Sequence, residues 1–129
     1  MTITHEMDVA GLEFHERYVI AKVAYGVHLD PANSEAGIEL IAARYQQPFG
    51  YISNRINDYS RDYGLYRLIK EKAPNLACIA LVIDRPHARA MARIEQRVGN
   101  RSVPVEIFAD LASAVAWTEE QVERARRAV

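Results

Sequence analysis

The stretch with the most hydrogen-bonding chemistry is residues 51–60, YISNRINDYS. It begins with apolar residues typical of a strand and continues into amide, guanidinium, carboxylate and hydroxyl groups. Crevices at the carboxyl ends of parallel strands are where open α/β folds usually bind ligands. We therefore predict a ligand- or partner-binding site made by Ser53, Asn54, Arg55, Asn57, Asp58 and Ser60. The alternative is that the Asn and Asp side chains form local turns with the backbone while Arg55 lies in solvent.

Ser60 allows two interpretations, and both require a helix that begins directly after it. As an N-cap, its hydroxyl would accept a hydrogen bond from a backbone amide and contribute about 1 kcal/mol. As a phosphorylation site, it would place a phosphate at the positive end of the helix macrodipole, beside Arg61.

The histidines and the cysteine do not form a catalytic or metal-binding pattern. The histidines, His5, His15, His28 and His87, show no pair at the helical spacing of metal ligands. Cys78 is the only cysteine and lies in the apolar stretch NLACIALVID, where a thiol behaves as a small hydrophobe. The sequence has no G-x-S-x-G elbow, P-loop or G-x-G-x-x-G turn. We therefore predict a non-catalytic protein with no metal and no cofactor.

Arginines recur at every fourth position near the third predicted helix, as Arg85, Arg89, Arg93 and Arg97. On a helix this spacing forms one stripe, roughly opposite an apolar face made by Ala88, Met91, Ile94 and Val98. We interpret the stripe as a solvated surface, with Arg89 and Arg93 exposed and dispensable for folding. The alternative is a surface for a phosphorylated partner or an acidic lipid headgroup, because guanidinium groups bind oxyanions through two donors.

Composition limits the class of protein. A chain of 129 residues has room for one domain, predicted over residues 1–129, and half of its residues are apolar, unlike a disordered chain. The net charge of −1 gives no global attraction to nucleic acid. The N-terminus lacks the basic flank and apolar segment of a secretion signal, and the apolar run at 77–83 is too short to cross a membrane. We expect a cytoplasmic protein with no transmembrane segment and no nucleic-acid partner.

The first half of the chain predicts a β-hairpin followed by a helix. Two extended segments within residues 12–26 are separated by a turn at 15–17. A helix is expected within residues 28–45, since Asp30 is a good N-cap and Pro31 suits the first helical position. Its apolar residues recur at helical spacing: Ile38, Ile41, Ala42 and Tyr45. A strand over 48–53 and a second helix within 60–74 follow, the helix with Leu65, Leu68 and Ile69 on one face.

The second half alternates strands and helices. The unbroken apolar run at 77–83 is typical of a central strand covered on both faces. A helix at 85–100, a strand at 103–108 and a helix at 109–129 follow, the last with Asp110 as its N-cap. Its inward positions are predicted to be Leu111, Ala114, Val115, Thr118 and Val122. The order β-β-α-β-α-β-α-β-α predicts a single-domain α/β fold with a mixed, mostly parallel sheet, an N-terminal hairpin and about four helices.

Three segments carry a family resemblance: YVIAKVAYGVHLD, YISNRINDYS and VPVEIFADLASAVAWTEE. With the order of elements, they resemble the small bacterial STAS-like proteins, which are related in fold to anti-anti-sigma factors and grouped with CRAL-TRIO-like domains. The resemblance spans most of the chain and implies a STAS-like fold with a regulatory role. It also implies that Ser60 corresponds to the serine that a partner kinase phosphorylates in the regulatory members. This chain departs from their short Asp-Ser loop, because Tyr59 stands between Asp58 and Ser60.

Two hypotheses for function follow. The first is a non-catalytic regulatory module of bacterial signalling that binds a protein partner through residues 54–60. The second is a protein that binds a small molecule, lipid or anion in the crevice near Ser53, Asn54 and Arg55. A homodimer is compatible with either hypothesis. A hydrolase using Ser53 or Ser60 with one of the histidines is a third, more distant alternative.

Overall fold

The computed structural model describes residues 3–7, 9–55, 60–61, 65–99 and 103–128. Within these residues, a mixed and mostly parallel six-stranded sheet is flanked by four helices. The strands are β1 (Ile3–Glu6), β2 (Ala10–Phe14), β3 (Tyr18–Val23), β4 (His28–Leu29), β5 (Phe49–Asn54), β6 (Ser60–Arg61), β7 (Leu76–Val82) and β8 (Val105–Phe108). The helices are α1 (Pro31–Arg44), α2 (Leu65–Lys72), α3 (Pro86–Gly99) and α4 (Leu111–Arg127).

The sheet has the order β1-β2-β3-β5-β7-β8, and β4 and β6 form a separate parallel pair. The predicted order is confirmed by β2, β3, α1, β5, α2, β7, α3, β8 and α4, which follow one another as expected. Strands β2 and β3 are the predicted antiparallel hairpin. Strand β1 was not predicted, because all four of its residues are exposed and its sequence therefore carries no burial pattern.

The two faces of the sheet are covered differently. Helices α1, α2 and α3 contribute to one large apolar cluster on the first face. On the second face, α4 packs across β5, β7 and β8 through a smaller cluster that includes Ile52 and Ala114. Strand β7 is buried on both faces, as predicted, since Ile79 lies in the first cluster and Ala80 in the second. Its bounds differ from the prediction by one residue at each end.

Side-chain caps fix the starts of α1 and α4, as the sequence predicted. The Asp30 carboxylate accepts a hydrogen bond from the Asn33 amide at 2.8 Å, and the Asn33 side chain accepts one from the Asp30 amide at 3.0 Å. Asp110 accepts from the Ser113 amide at 2.8 Å. These bonds satisfy backbone donors that a helix leaves unpaired in its first turn. Six of the inward or apolar positions predicted for these two helices are buried: Ile38, Ile41, Tyr45, Ala114, Thr118 and Val122.

The predicted orientation of α3 is only partly right. Ala88, on the predicted apolar face, packs against the large core cluster. Ile94, expected to face the core, is 46% exposed, whereas Ala92 is completely buried. Arg89 is half-buried and Arg93 is exposed, so the arginine stripe does not lie wholly in solvent. Ala92 belongs to the large apolar cluster on the first face of the sheet. The side chains of Met91 and Val98, which the prediction also placed inward, lie outside the described part of the chain.

None of the helices in the described ranges has the length and apolar character needed to span a lipid bilayer.

Candidate functional site: a cleft at the strand ends

A cleft of about 350 Å³ opens at the carboxyl end of the sheet. We call it the strand-end cleft, and its described lining consists of Asn54, Arg55, Val82, Asp84, Ala109, Asp110 and Leu111. These residues come from the ends of three neighbouring strands and from the first turn of α4. The cleft lies where the sequence predicted a crevice, and it contains two of the predicted site residues.

Parallel pairing brings these strand ends together. Asn54 in β5 pairs with Val82 in β7, and Val82 pairs with Phe108 in β8. The pairing continues one residue past the strands, where the Arg55 amide donates to the Val82 carbonyl at 3.1 Å and the Ile83 amide donates to the Phe108 carbonyl at 2.8 Å. The chain therefore leaves β5, β7 and β8 at the same edge of the sheet.

Ser53 occupies a different environment from its two neighbours in the predicted site. It is almost completely buried and pairs with Leu81 in the middle of the sheet. The Arg55 Nε donates to the Ser53 hydroxyl at 3.5 Å, which is a long hydrogen bond. Ser53 therefore contacts a lining residue but is not part of the described lining itself.

Ser60 does not cap the second helix, so the N-cap prediction is wrong. Helix α2 begins at Leu65, whereas Ser60 lies in β6 and pairs with His28 in β4. The argument for phosphorylation from the positive end of the helix dipole also loses its basis at this position, although phosphorylation itself stays a prediction. Asn57 and Asp58, the other predicted site residues, lie outside the described residues.

Two acidic residues in the cleft, Asp84 and Asp110, were not included in the predicted site. Asp84 follows a predicted strand directly and Asp110 follows one after a single residue, so the rule that selected Asn54 and Arg55 could have selected them as well. Asp84 is highly exposed, and its carboxylate lies 3.9 Å from the Arg85 Nε. The hydrogen bond from the Ser113 backbone amide, and then that from the Ser113 hydroxyl, lowers the pKa of Asp110 below its usual value. The lining therefore contains carboxylates beside a guanidinium and an amide.

The cysteine is buried beneath α4, away from any solvent-exposed site. Burial raises the pKa of the Cys78 thiol to about 12, an effect partly offset by the nearby Thr118 hydroxyl. Thr118 Oγ1 itself has no hydrogen bond of good geometry among the described residues. Because the reactive form of cysteine is the thiolate, this thiol is inert in the folded chain. In the described ranges, His, Cys, Asp and Glu residues form no group able to hold a metal ion.

A second cavity lies between α1, α2 and the N-terminal strands. Its lining is mostly apolar and includes Met7, Leu12, Gly37, Ile38 and Ile69. The cavity has a volume of about 50 Å³, which is well below that of typical ligand pockets. We interpret it as a packing void of the core.

Comparison with known proteins gives no family for the chain: no family model matches it, and no match was found among curated proteins or solved structures.

Proposed function

We propose that this chain is a non-catalytic interaction module of bacterial signalling, with a STAS-like fold, that binds a protein partner at the strand-end cleft. The observation that supports this proposal is the meeting of Asn54, Arg55 and Asp84 at the ends of adjacent parallel strands, beside the start of α4. In the proposal, Arg55 and Asn54 bind polar groups of the partner, and Asp84 binds a cationic or amide group.

The lining of the cleft suits the mixed chemistry of a protein surface. Arg55 supplies donors, Asp84 supplies acceptors, and Asn54 can supply both. Val82 and Leu111 add apolar contacts. The Asp84 side chain is 79% exposed, so a macromolecule can reach it without any opening of the fold. A cytoplasmic location accords with this proposal.

A small-molecule binder is the second candidate function. The volume of the cleft, about 350 Å³, is at the lower end of the range of roughly 300–1,000 Å³ found for ligand pockets. A small polar ligand carrying both an anionic group and a hydrogen-bond donor would match the lining. In this alternative, Arg55 would bind the anionic group and Asp84 the donor.

Site-specific cross-linking tests the main proposal. A photo-reactive amino acid at position 84 should capture a defined protein in cells, whereas the same residue at the exposed position 124 should not. Arg55→Ala in the position 84 variant should strongly reduce the adduct, while the melting temperature should stay within a few degrees. Identical adducts from positions 84 and 124, or an adduct unaffected by Arg55→Ala, would overturn the proposal.

Native mass spectrometry tests the second candidate with the same variants. A small ligand would appear as a constant mass increment on the gently purified protein. Arg55→Ala should remove this increment, and Arg124→Ala, which changes an exposed arginine in the last turns of α4, should retain it. Retention of the increment in Arg55→Ala would show that the ligand is bound elsewhere, and its loss in both variants would show that the effect of Arg55→Ala is not specific to the cleft.

A further inference from the structure

A polar groove runs between α3 and the edge strand β8, separate from the strand-end cleft. We call it the edge groove, and its lining consists of Arg89, Arg93, Gln96, Glu106 and Ile107. Its volume is about 250 Å³. β8 is the last strand of the described sheet, so this groove borders the free edge of the sheet.

The backbone of β8 directs alternate residues toward this edge. The Ile79 amide donates to the Pro104 carbonyl at 2.9 Å, and the Ile83 amide donates to the Phe108 carbonyl at 2.8 Å. In a parallel ladder, a strand bonds to one neighbour through every second residue. The even-numbered residues of β8 therefore bond to β7, and the backbone groups of Val105 and Ile107 point outward.

Side chains of the protein bond to the outward Val105 carbonyl and to the outward Ile107 amide. The Gln96 Nε2 donates to the Val105 carbonyl at 2.8 Å, and the Ile107 amide donates to the Glu106 Oε1 at 3.1 Å. The same Gln96 nitrogen also contacts Glu106 Oε1 at 3.3 Å. Gln96 and Glu106 therefore take the place of a neighbouring strand, as polar side chains at sheet edges commonly do.

The two arginines of the edge groove form no ion pair with a carboxylate among the described residues. The Arg89 Nε donates to the Ile83 carbonyl at 3.0 Å, which fixes the half-buried side chain. This bond uses one of the five N–H donors of the guanidinium, so the terminal N–H groups can bind a ligand. Arg93 is exposed one turn further along α3. Glu106, the acidic residue in the groove, bonds to Ile107 and Gln96 instead. The groove thus presents two positive charges next to a strand edge.

We propose that the edge groove binds an extended acidic segment of a partner protein. A carboxylate of the segment lies between Arg89 and Arg93, and its backbone runs beside β8 and replaces the bonds now made by Gln96 and Glu106. Charge complementarity selects an acidic segment, and the outward Val105 carbonyl and Ile107 amide, which Gln96 and Glu106 now bond, select an extended one. Strand addition of this kind derives affinity from main-chain hydrogen bonds and specificity from side-chain contacts. The proposal does not depend on the strand-end cleft.

Fluorescence anisotropy with defined peptides tests this proposal on the full chain. The acidic probe is a labelled peptide of alternating Glu and Val, and the matched neutral probe has Gln in place of each Glu. We expect the acidic peptide to bind about tenfold or more tightly than the neutral one, since guanidinium–carboxylate hydrogen bonds are charge-assisted. Arg93→Gln should remove most of this difference. Arg97→Gln, at an exposed position of the same helix outside the described lining of the groove, should leave it unchanged.

Amide NMR distinguishes strand addition from simple anion binding. The acidic peptide should shift the Ile107 amide resonance, because its hydrogen-bond acceptor changes, whereas inorganic phosphate at the same concentration should not. Equal affinity of the wild-type protein for both peptides would overturn the proposal. So would an affinity for the acidic peptide that Arg93→Gln leaves unchanged, or an Ile107 shift of the same size with phosphate. Self-association of the chain in place of peptide binding, seen by sedimentation, would overturn it as well.

Discussion

The Cγ2 methyl group of Thr118 occupies the space in which a side chain at Gly50 would begin. A Cβ atom at position 50 would overlap this methyl and would lie 3.2 Å from the Cys78 sulfur. Thr118 and Cys78 are both completely buried, so neither can move into solvent. Helix α4 therefore packs so close to β5 that no side chain larger than that of glycine fits at position 50.

Gly50→Ala should lower the free energy of unfolding by about 1–3 kcal/mol, because the added methyl forces α4 away from the sheet. Urea denaturation measures this loss. Adding Thr118→Ser, which removes the opposing methyl, should recover part of the stability and give a coupling energy of more than about 0.5 kcal/mol. Strictly additive effects of the two changes would show that this contact does not set the helix–sheet separation.

Gly37→Ala should have the opposite effect and raise the free energy of unfolding by about 1 kcal/mol, since glycine is a poor residue inside a helix. A Cβ at position 37 would lie 3.6 Å from Met7 Sδ and 3.8 Å from Leu12 Cδ1, which are ordinary packing distances. It would also fill part of the cavity between α1 and the N-terminal strands. Thermal and urea denaturation should agree on the sign, and a loss of stability would mean that the helix cannot accept the methyl group.

Stability should fall in alkaline solution. Burial raises the pKa of the Cys78 thiol from 9.0 to about 12 and that of the Tyr45 hydroxyl from 10.0 to about 12. The folded chain therefore keeps protons that the unfolded chain releases, and the free energy of unfolding decreases between about pH 9 and about pH 12. Cys78→Ala should reduce the pH slope of the free energy of unfolding by the amount that corresponds to about one bound proton. Urea denaturation at several pH values across this range measures the slope. The same pH dependence in both proteins would contradict the role of the thiol.

Arg89 and Arg93 should differ in their contribution to folding, although they are four residues apart on one helix. Arg89→Ala removes the hydrogen bond to the Ile83 carbonyl and should cost about 1 kcal/mol. Arg93→Ala changes an exposed residue and should alter stability by less than about 0.5 kcal/mol. Parallel melting curves of the two variants measure the difference. Equal effects would indicate that the Arg89 bond is not important for stability.

Local patterns predicted the elements that are held by burial or by caps. The apolar run around Ile79 predicted β7, and Asp30 and Asp110 predicted the starts of α1 and α4. An apolar run and a capping residue can each be recognised within a few residues of sequence. Strand β1 could not be predicted in this way, since its edge position leaves every residue exposed. Ser60 was assigned to a helix start from its local sequence. Its pairing with His28 joins distant parts of the chain, so no local pattern could indicate it.

The candidate site was predicted in position but only partly in composition. Asn54 and Arg55 line the strand-end cleft because parallel strands must end at one edge, which the order of elements already implied. Asp84 and Asp110 also come shortly after predicted strands, so the same rule could have included them, whereas the strand order that brings them beside Arg55 is set by contacts between distant parts of the chain. The orientation of α3 was predicted only in part, because Ala92, a small residue outside the predicted apolar face, is buried in the core, whereas the larger Ile94 is exposed.

Of the four described helices, α4 is the one that covers the second face of the sheet, and it is the last to be synthesised. This order determines when that face becomes protected during synthesis. Ile20, Ile52 and Ala80 are translated well before residues 111–127, which bury them. Until α4 has left the ribosome, the nascent chain exposes an apolar sheet surface that favours aggregation or chaperone binding. A stalled or truncated translation product that ends before residue 111 would keep this surface exposed, whereas the first face can already be covered by α1, α2 and α3.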